Sequence, residues 1–354
     1  MRIESFSLLL FFLFGFLIFL ISSLPNFSPQ DLKALLIYIS PLCFSATFFV
    51  FSLERPDLFH KIVKISALIW ISVGLAQYFI SPNLFAGLVG GWGEAAGGIV
   101  ESGRGVLGLA PEPTHFGFHM LLLASILYIL KSNRLLIALC IFSSIFLARS
   151  SSAILAMAIG LFLCLLVRSR ILFFLLSISI LLFFVFGRTD FTTEQPGEDA
   201  NRILLLLSLF LNNPTDFLMI DGSINLRIGG IIVGYDLILD SWLLPNGMSN
   251  LDWIARSREI LNPRPWLYDI SDSGIPSGYL IVIYQVGFIG FMFLLPAIYR
   301  ISSAARSALG TWIVFTALSI FLGQYMISNP GFGLLYGCAA AEWFRKRQAA
   351  SNFD

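Results

Sequence analysis

Apolar runs that approach the length of a membrane span recur along this chain. Hydrophobic residues make up 57% of it, charged residues make up 12%, and its mean hydropathy is +0.84, a balance far from that of soluble domains. A helix needs about 20 mostly apolar residues to cross a bilayer. The sequence therefore predicts an all-α polytopic membrane protein with about ten transmembrane helices. The predicted spans are 5–23, 34–52, 62–80, 115–130, 135–148, 153–167, 171–187, 279–299, 309–327 and 331–344.

The basic residues assign sides to these spans. Lys and Arg gather in alternate loops, as the positive-inside rule requires, which predicts that both termini lie in the cytoplasm. Two long segments, 81–114 and 188–278, are then left on the outer side. The alternating basic positions are Arg2, Arg55, Lys61, Lys64, Lys131, Arg134, Arg168, Arg170, Arg300, Arg306, Arg345, Lys346 and Arg347.

The longer outer segment contains two further apolar stretches. The sequence "NRILLLLSLFLNN" is too short to span, so we interpret it as a helix that lies on the membrane. The sequence "LRIGGIIVGYDLILDSWLLP" mixes an apolar stripe with Arg227, Asp236 and Asp240, which predicts an amphipathic helix in the same large outer loop. If both crossed the membrane, the sides of the other loops would not change, so a twelve-helix alternative stays open. In either version the chain, 1–354, is expected to form a single integral membrane domain.

Several classes of function are disfavoured by what the sequence lacks. The net charge is +1 and the longest basic block is Arg345-Lys346-Arg347, which argues against a nucleic-acid partner. The four cysteines have no metal-binding spacing. Neither a nucleotide-binding loop nor a GxSxG motif is present. We therefore expect no metal, no cofactor and no nucleic acid.

One polar stretch stands beside some of the most apolar sequence in the chain. In "GRGVLGLAPEPTHFGFH", residues 103–119, Glu112 is flanked by Pro111 and Pro113, which predicts an extended and well-oriented glutamate. An acid so close to hydrocarbon usually faces a cavity or a partner, and Arg104 is the candidate partner. The alternative is a solvent-exposed glutamate, or a helix N-terminal acid that stabilises the helix dipole.

Two histidines follow on the same predicted helix. His115 and His119 are four residues apart and therefore share one helix face. A metal site would need a third ligand, and none is evident in the sequence. Hydrogen-bonded histidines that line a polar cavity are the favoured interpretation.

Two more arginines are predicted near the outer boundary. Arg149 precedes three serines at a turn, which taken alone indicates an interfacial arginine beside a serine helix cap. Arg227 stands at the head of the amphipathic helix that ends before Asn246-Gly247. Because a guanidinium presents a fixed fork to oxygens and stays charged, Arg104, Arg149 and Arg227 together could neutralise a diphosphate.

Four stretches resemble one family of membrane proteins. "RGVLGLAPEPTHFGFH" resembles the Glu-Pro-Ser/Thr stretch of Wzy-type O-antigen and exopolysaccharide polymerases, members of the O-antigen ligase/polymerase superfamily. "LARSSSAILAMAIG" is similar to the start of that family's next helix. "LRIGGIIVGYDLILDSWLLPNGMSN" is similar to its large periplasmic loop, and "SGYLIVIYQVGFIGFMFLLP" to the helix that follows. The resemblance covers about 100–300 in the expected order.

The resemblance implies a glycosyltransferase in the bacterial inner membrane that joins oligosaccharide repeat units at the periplasmic face. Donor and acceptor are each linked to a polyprenyl (undecaprenyl) diphosphate in the membrane lipid, and a chain-length regulator protein is the expected partner. Neither a nucleotide nor a metal is implied. The catalytic residues it implies are Glu112 as the base and His115 as the competing choice. The predicted substrate-binding residues are Arg104, Arg149, Arg227 and His119.

Other functions remain as alternatives. Ligases of the same superfamily carry a histidine in the large outer loop, near its return to the membrane. This chain has no histidine there and reads "SDSGIPSGYL", so a polymerase is favoured over a ligase. A flippase or other transporter should place polar groups at mid-membrane, whereas the predicted spans are nearly free of charge. A structural membrane subunit would tolerate substitutions at Glu112 and Arg227.

Overall fold

The computed structural model of this chain describes residues 2–23, 29–89, 105–186, 222–248, 251–262, 275–323 and 325–351. All regular elements within these ranges are helical, which confirms the all-α part of the predicted fold class. The α-helices are α1 (Arg2–Ser23), α2 (Pro29–Glu54), α3 (Pro56–Phe79), α4 (Pro113–Ile129), α5 (Arg134–Phe142), α6 (Ser151–Arg168), α7 (Arg170–Phe186), α8 (Gly222–Asp240), α9 (Leu251–Leu261), α10 (Gly278–Met292), α11 (Leu295–Ser303), α12 (Ala308–Gly323) and α13 (Pro330–Ser351). A 3₁₀ turn covers Ala86–Val89 and a π turn covers Ser143–Leu147.

Several of these helices are apolar enough to cross a membrane. By length and composition, 3 described helices qualify: Ala34–Glu54 within α2, then α3 and α6. Helices α10 and α11 meet at a bend of 74° and make a fourth if they form one span. The shorter apolar helices are Phe6–Ser22, Pro113–Ile129, Arg134–Leu147, Arg170–Ser179 and Ala308–Gly323. The apolar helices indicate a membrane protein, while the number of spans and their sides stay predictions. The stretch predicted as a surface helix at 201–213 lies outside the described residues.

The chain divides into two compact units. Unit 1 comprises Met1–Pro56, Leu218–Ala304 and Ile320–Asp354. Within it α13 packs along α2, and two glycines four residues apart allow the close approach. A Cβ at Gly333 would lie 2.9 Å from the backbone nitrogen of Ser45, and one at Gly337 would lie 2.8 Å from that of Phe49. Small residues at this spacing are common where membrane helices pack closely.

Unit 2 comprises Asp57–Phe217 and Ala305–Ser319. Its central helix is α4, which is buried on nearly all sides from Phe116 to Ile129, as expected for a helix that is apolar all round. Hydrogen bonds join the neighbouring helices, since Ser125 Oγ donates to the Ile313 carbonyl at 2.8 Å and Trp312 Nε1 donates to the Met157 carbonyl at 3.0 Å. The rigid position of α4 fixes the segment that precedes it, which contains Glu112.

Candidate active site

Glu112 is the N-cap residue of α4. Its backbone is extended, with φ −143° and ψ 153°, which confirms the sequence prediction for a glutamate between two prolines. Pro113 begins the helix, where the missing N–H costs nothing. The Glu112 side chain makes no capping hydrogen bond and is half-buried. The carboxylate is therefore not used to cap the helix and is available for another contact.

The segment before Glu112 is fixed by a glutamine at the end of α3. The Gln77 side chain is 1% exposed. Its Nε2 donates to the carbonyl of Gly108 at 2.9 Å and to that of Leu84 at 2.8 Å, and its Oε1 accepts from the Gly108 amide at 2.6 Å. Both backbone groups of Gly108 are thus satisfied by one side chain, as buried peptide groups require.

Gly108 itself needs to be glycine for two reasons. Its φ of +61° lies in the left-handed region that other residues rarely adopt. A Cβ would also lie 2.6 Å from a ring carbon of Phe116. The turn from α3 into α4 is therefore closely fitted to the first buried turn of α4.

A second attachment joins this segment to the π turn that follows α5. The amide of Val106 donates to the carbonyl of Leu147 at 2.9 Å. A Cβ on Gly105 would overlap the carbonyl of Ala148. The backbone at Gly105 therefore passes close to the protein's own backbone.

The Arg149 turn follows a π turn. The Ala148 amide donates to the Ser143 carbonyl, five residues back, at 3.0 Å, and π turns of this kind are frequent at functional sites. Arg149 then has a φ of +45° and is exposed. Its Nη2 donates to the Tyr78 hydroxyl at 3.2 Å, and its guanidinium lies 5.5 Å from the centre of the Tyr78 ring. A non-glycine residue held in this region stores backbone strain, which concentrates at functional sites.

One side-chain hydrogen bond connects the Arg149 turn to the start of α4. Ser150 caps α6, because its Oγ accepts from the Ala153 amide at 3.3 Å, and the same Oγ donates to Thr114 Oγ1 at 3.0 Å. The predicted serine cap beside Arg149 is thus confirmed. Arg149 is adjacent to Ser150, and Glu112 lies two residues before Thr114. The candidate base and one candidate phosphate ligand therefore belong to two segments that are bonded to each other.

The two histidines differ in their surroundings. His115 lies in the first turn of α4 and is half-buried. The His119 ring packs against Trp70, with 4.1 Å between ring centroids. His119 Nε2 is buried without a hydrogen-bond partner among the described residues. In that part of the chain, His, Cys, Asp and Glu residues form no group of three suited to a metal ion.

The other two predicted arginines belong to other parts of the chain. Arg104 lies outside the described residues. Arg227 is half-buried in the second turn of α8, in unit 1. The prediction that three arginines share one diphosphate therefore stays a prediction.

Comparison with known proteins adds no relative. No protein-family model matches this chain. No curated protein matches it either. Two side chains of unit 2 are the candidate functional groups: the Glu112 carboxylate, which caps no helix, and the exposed guanidinium of Arg149. Such a pair suits proton removal beside an anionic leaving group.

Sequence reasoning missed Gln77 and Tyr78, which hold the site together. Both lie in the last turn of α3, within the predicted span 62–80. A glutamine and a tyrosine at the end of an otherwise apolar run were the available signal, because a buried polar side chain must find a hydrogen-bond partner. The partners themselves, Gly108 and Arg149, could not be read from local sequence.

Proposed function

We propose that this chain is a Wzy-type polymerase that joins polyprenyl-diphosphate-linked oligosaccharide repeat units into a surface polysaccharide. The sequence resemblance to that family supports the proposal. The observation that carries it is the hydrogen bond from Ser150 to Thr114 at 3.0 Å, which ties the Arg149 turn to the helix that begins after Glu112. General base and phosphate ligand are the two roles that this reaction requires of a protein without a metal.

In the proposed reaction, Glu112 accepts the proton of an acceptor sugar hydroxyl. The hydroxyl oxygen then forms a bond to the anomeric carbon of the donor chain. The bond from that carbon to the diphosphate oxygen breaks, and the polyprenyl diphosphate leaves with the electron pair. Arg149 stabilises the charge that develops on this leaving group, because its guanidinium is exposed and held in place by Tyr78. Arg227 and Arg104 are proposed as further diphosphate ligands, and His115 as the competing base.

The proposed setting is the bacterial inner membrane. The charge pattern predicts about ten spans, cytoplasmic termini and a periplasmic active face. The Glu112 segment precedes the buried helix α4, and the Arg149 turn precedes α6, so both lie at helix N-termini. A reaction at one face of the membrane fits this arrangement better than passage through it, which favours polymerase over transporter. A chain-length regulator remains the proposed protein partner.

The test is deletion of the gene in its native host, followed by separation of surface and lipid-linked glycans on a gel. We expect glycans that stop at a single repeat unit. Long lipid-linked chains without transfer to their acceptor would instead identify a ligase. Single units confined to the cytoplasmic leaflet would identify a flippase, and an unchanged ladder would exclude glycan assembly.

Complementation then tests the residues. Glu112→Gln should leave the deletion phenotype unchanged, because the amide cannot accept the proton. Glu54→Gln is the matched control, since Glu54 is an exposed glutamate at the end of α2, and it should restore the full ladder. Full activity of Glu112→Gln at normal expression would remove Glu112 as the base.

A further inference from the structure

A break in α10 is closed by a segment that the sequence places outside the membrane. Gly287 interrupts the helix, with φ 71° and ψ 179°. The amide of Phe288 donates to the Leu243 carbonyl at 2.9 Å, the Asn246 amide to the Tyr284 carbonyl at 2.9 Å, and the Gly247 amide to the Gln285 carbonyl at 3.2 Å. The 241–248 segment therefore replaces the helical hydrogen bonds that the break removes. Non-helical backbone at membrane depth requires such protection by protein.

The hydrogen bonds fix the level of this segment along α10. Phe288 lies about ten residues past the start of α10 at Gly278, which is roughly 15 Å at the rise of an α-helix. The hydrocarbon core is about 30 Å thick. Helices α10 and α11 are together long and apolar enough for one broken span. If that span starts near Gly278, the 241–248 segment stands beside a part of α10 that lies well inside the bilayer.

The surface at this level is apolar and exposed. On α10, Phe288 and Ile289 are exposed by 43% and 60%, as expected for side chains of a span that face lipid. The Leu243 carbonyl accepts the hydrogen bond from Phe288. The exposed fractions around it are also high: 86% for Trp242, 42% for Leu243 and 59% for Leu244. The exposed side chains of α10 and those of 242–244 together form one apolar surface on unit 1.

This surface continues along α8. Tyr235 and Leu239 are exposed by 55% and 49% and, four residues apart, lie on one face of α8, which ends two residues before Trp242. The adjacent row of α8 is polar, because Asp240, whose side chain is 62% exposed, forms a 2.9 Å ion pair with Arg256 of α9. Helix α8 thus separates an apolar row from a charged one.

The backbone is strained where this surface is most exposed. The amide of Leu243 donates to the Ile238 carbonyl at 3.0 Å, and that of Trp242 to the Leu239 carbonyl at 2.9 Å. This is the Schellman pattern at a helix end, in which the left-handed residue is usually glycine. Here Trp242 occupies that position with φ +56°. A large apolar side chain therefore stands at a position whose backbone conformation favours glycine.

We infer that α8 and the 241–248 segment form a re-entrant element that enters the bilayer beside α10. Trp242, Leu243 and Leu244 contact lipid hydrocarbon, and the 243–247 backbone seals the break at Gly287. The inference rests on α10 and α11 being in the membrane and does not depend on the proposed glycan chemistry. It moves part of the outer segment 188–278 into the membrane.

Depth measurement by electron paramagnetic resonance tests this. The full-length chain, with its four native cysteines replaced by serine, would carry single spin labels at Trp242→Cys or Leu244→Cys in phospholipid vesicles. Reference labels would be Ile178→Cys, an exposed apolar position of α7, and Asn83→Cys, an exposed polar position in the turn after α3. The ratio of collision with oxygen to collision with a water-soluble nickel chelate should match Ile178 and exceed Asn83 several-fold at both test positions. A ratio like that of Asn83 at both positions would overturn the inference.

The unmodified chain provides a second readout that no substitution can disturb. Vesicles would contain phospholipids with a photoreactive diazirine in the middle of the acyl chain, and labelled peptides would be identified by mass spectrometry. We expect lipid adducts on the peptide that contains 242–244, as on the peptides of α7. Adducts on α7 without any on 242–244 would overturn the inference even if the glycan function is correct.

Discussion

The guanidinium of Arg149 donates a hydrogen bond to the Tyr78 hydroxyl at 3.2 Å and lies 5.5 Å from the centre of its ring. The two residues are 71 positions apart in sequence. Arg149 is exposed and its backbone is left-handed, so without this contact its long side chain would sample many rotamers. Tyr78 therefore holds a solvent-accessible positive charge in a defined place, which lowers the entropy lost when an anion binds.

Arg149→Ala should slow polymer formation on the order of 100-fold, the scale of losing a donor that stabilises transition-state charge. Arg149→Lys should recover only part of the activity, because an ammonium keeps the charge but lacks the planar fork. The measurement is the initial rate of polymer formation from lipid-linked repeat units in proteoliposomes. Arg134→Ala is the matched control, since Arg134 is an exposed arginine at the start of α5. Equal rates for the two alanine variants would exclude Arg149 from the site.

Tyr78→Phe separates positioning from catalysis. It removes the hydrogen bond and keeps the ring, so the charge of Arg149 remains and only its orientation loosens. We expect weaker substrate binding, seen as a raised KM, with a smaller change in kcat than Arg149→Ala produces. A kcat loss as large as that of Arg149→Ala would mean that the Tyr78 hydroxyl itself takes part in the reaction.

Gln77→Leu should destabilise unit 2. The substitution leaves the buried amide and carbonyl of Gly108 without their partner, and each such group costs about 1–3 kcal/mol. The Leu84 carbonyl loses its donor as well. Thermal unfolding in detergent can be followed with a thiol-reactive dye, because Cys140, Cys164 and Cys338 are buried in the folded chain. Gln348→Leu, at an exposed glutamine of α13, should leave the melting temperature nearly unchanged, and a similar result for Gln77→Leu would contradict the prediction.

Local rules were enough to predict some features of the site. The extended backbone of Glu112 follows from the prolines on either side of it, and the Ser150 cap follows from the serines after Arg149. The all-α fold follows from the length and spacing of the apolar runs. Each of these depends on residues within a few positions of one another, which is what a sequence shows directly.

Features that depend on distant contacts could not be predicted in this way. Gly108 is paired by Gln77, which is 31 positions away. The sequence around Gly287 has the composition of an uninterrupted apolar helix, and the residues that close its break come from 243–247. The Asn246-Gly247 pair marks a turn, and Gly247 does have a positive φ of 84°. Helix α8 nevertheless ends earlier, at Asp240, with Trp242 where a glycine would be expected.

Ser150→Ala should weaken the connection between the Arg149 turn and α4. The variant loses the α6 cap, worth about 1 kcal/mol, and the hydrogen bond to Thr114. Ser150→Thr keeps a hydroxyl and should retain most of both. We expect a lower melting temperature and lower polymerisation for the alanine variant, with rescue by threonine. If alanine and threonine variants polymerise equally well, the hydrogen bond does not position Arg149.

Gly287→Ala should destabilise unit 1 strongly. The φ and ψ of Gly287 lie in a region that only glycine adopts readily, which costs other residues about 1–3 kcal/mol. A Cβ there would also lie 2.8 Å from the Leu243 carbonyl and 2.9 Å from the ring of Pro245. The contact would push the 243–247 backbone away from α10 and unpair the hydrogen bonds that close the break. Gly323→Ala is the matched control, because a Cβ at Gly323 meets no atom within 4 Å. We expect a clear drop in melting temperature for Gly287→Ala and none for Gly323→Ala. A spin label at position 244 should also become more accessible to water in the Gly287→Ala variant. Equal melting temperatures of the two variants would mean that the 243–247 segment does not hold the break in place.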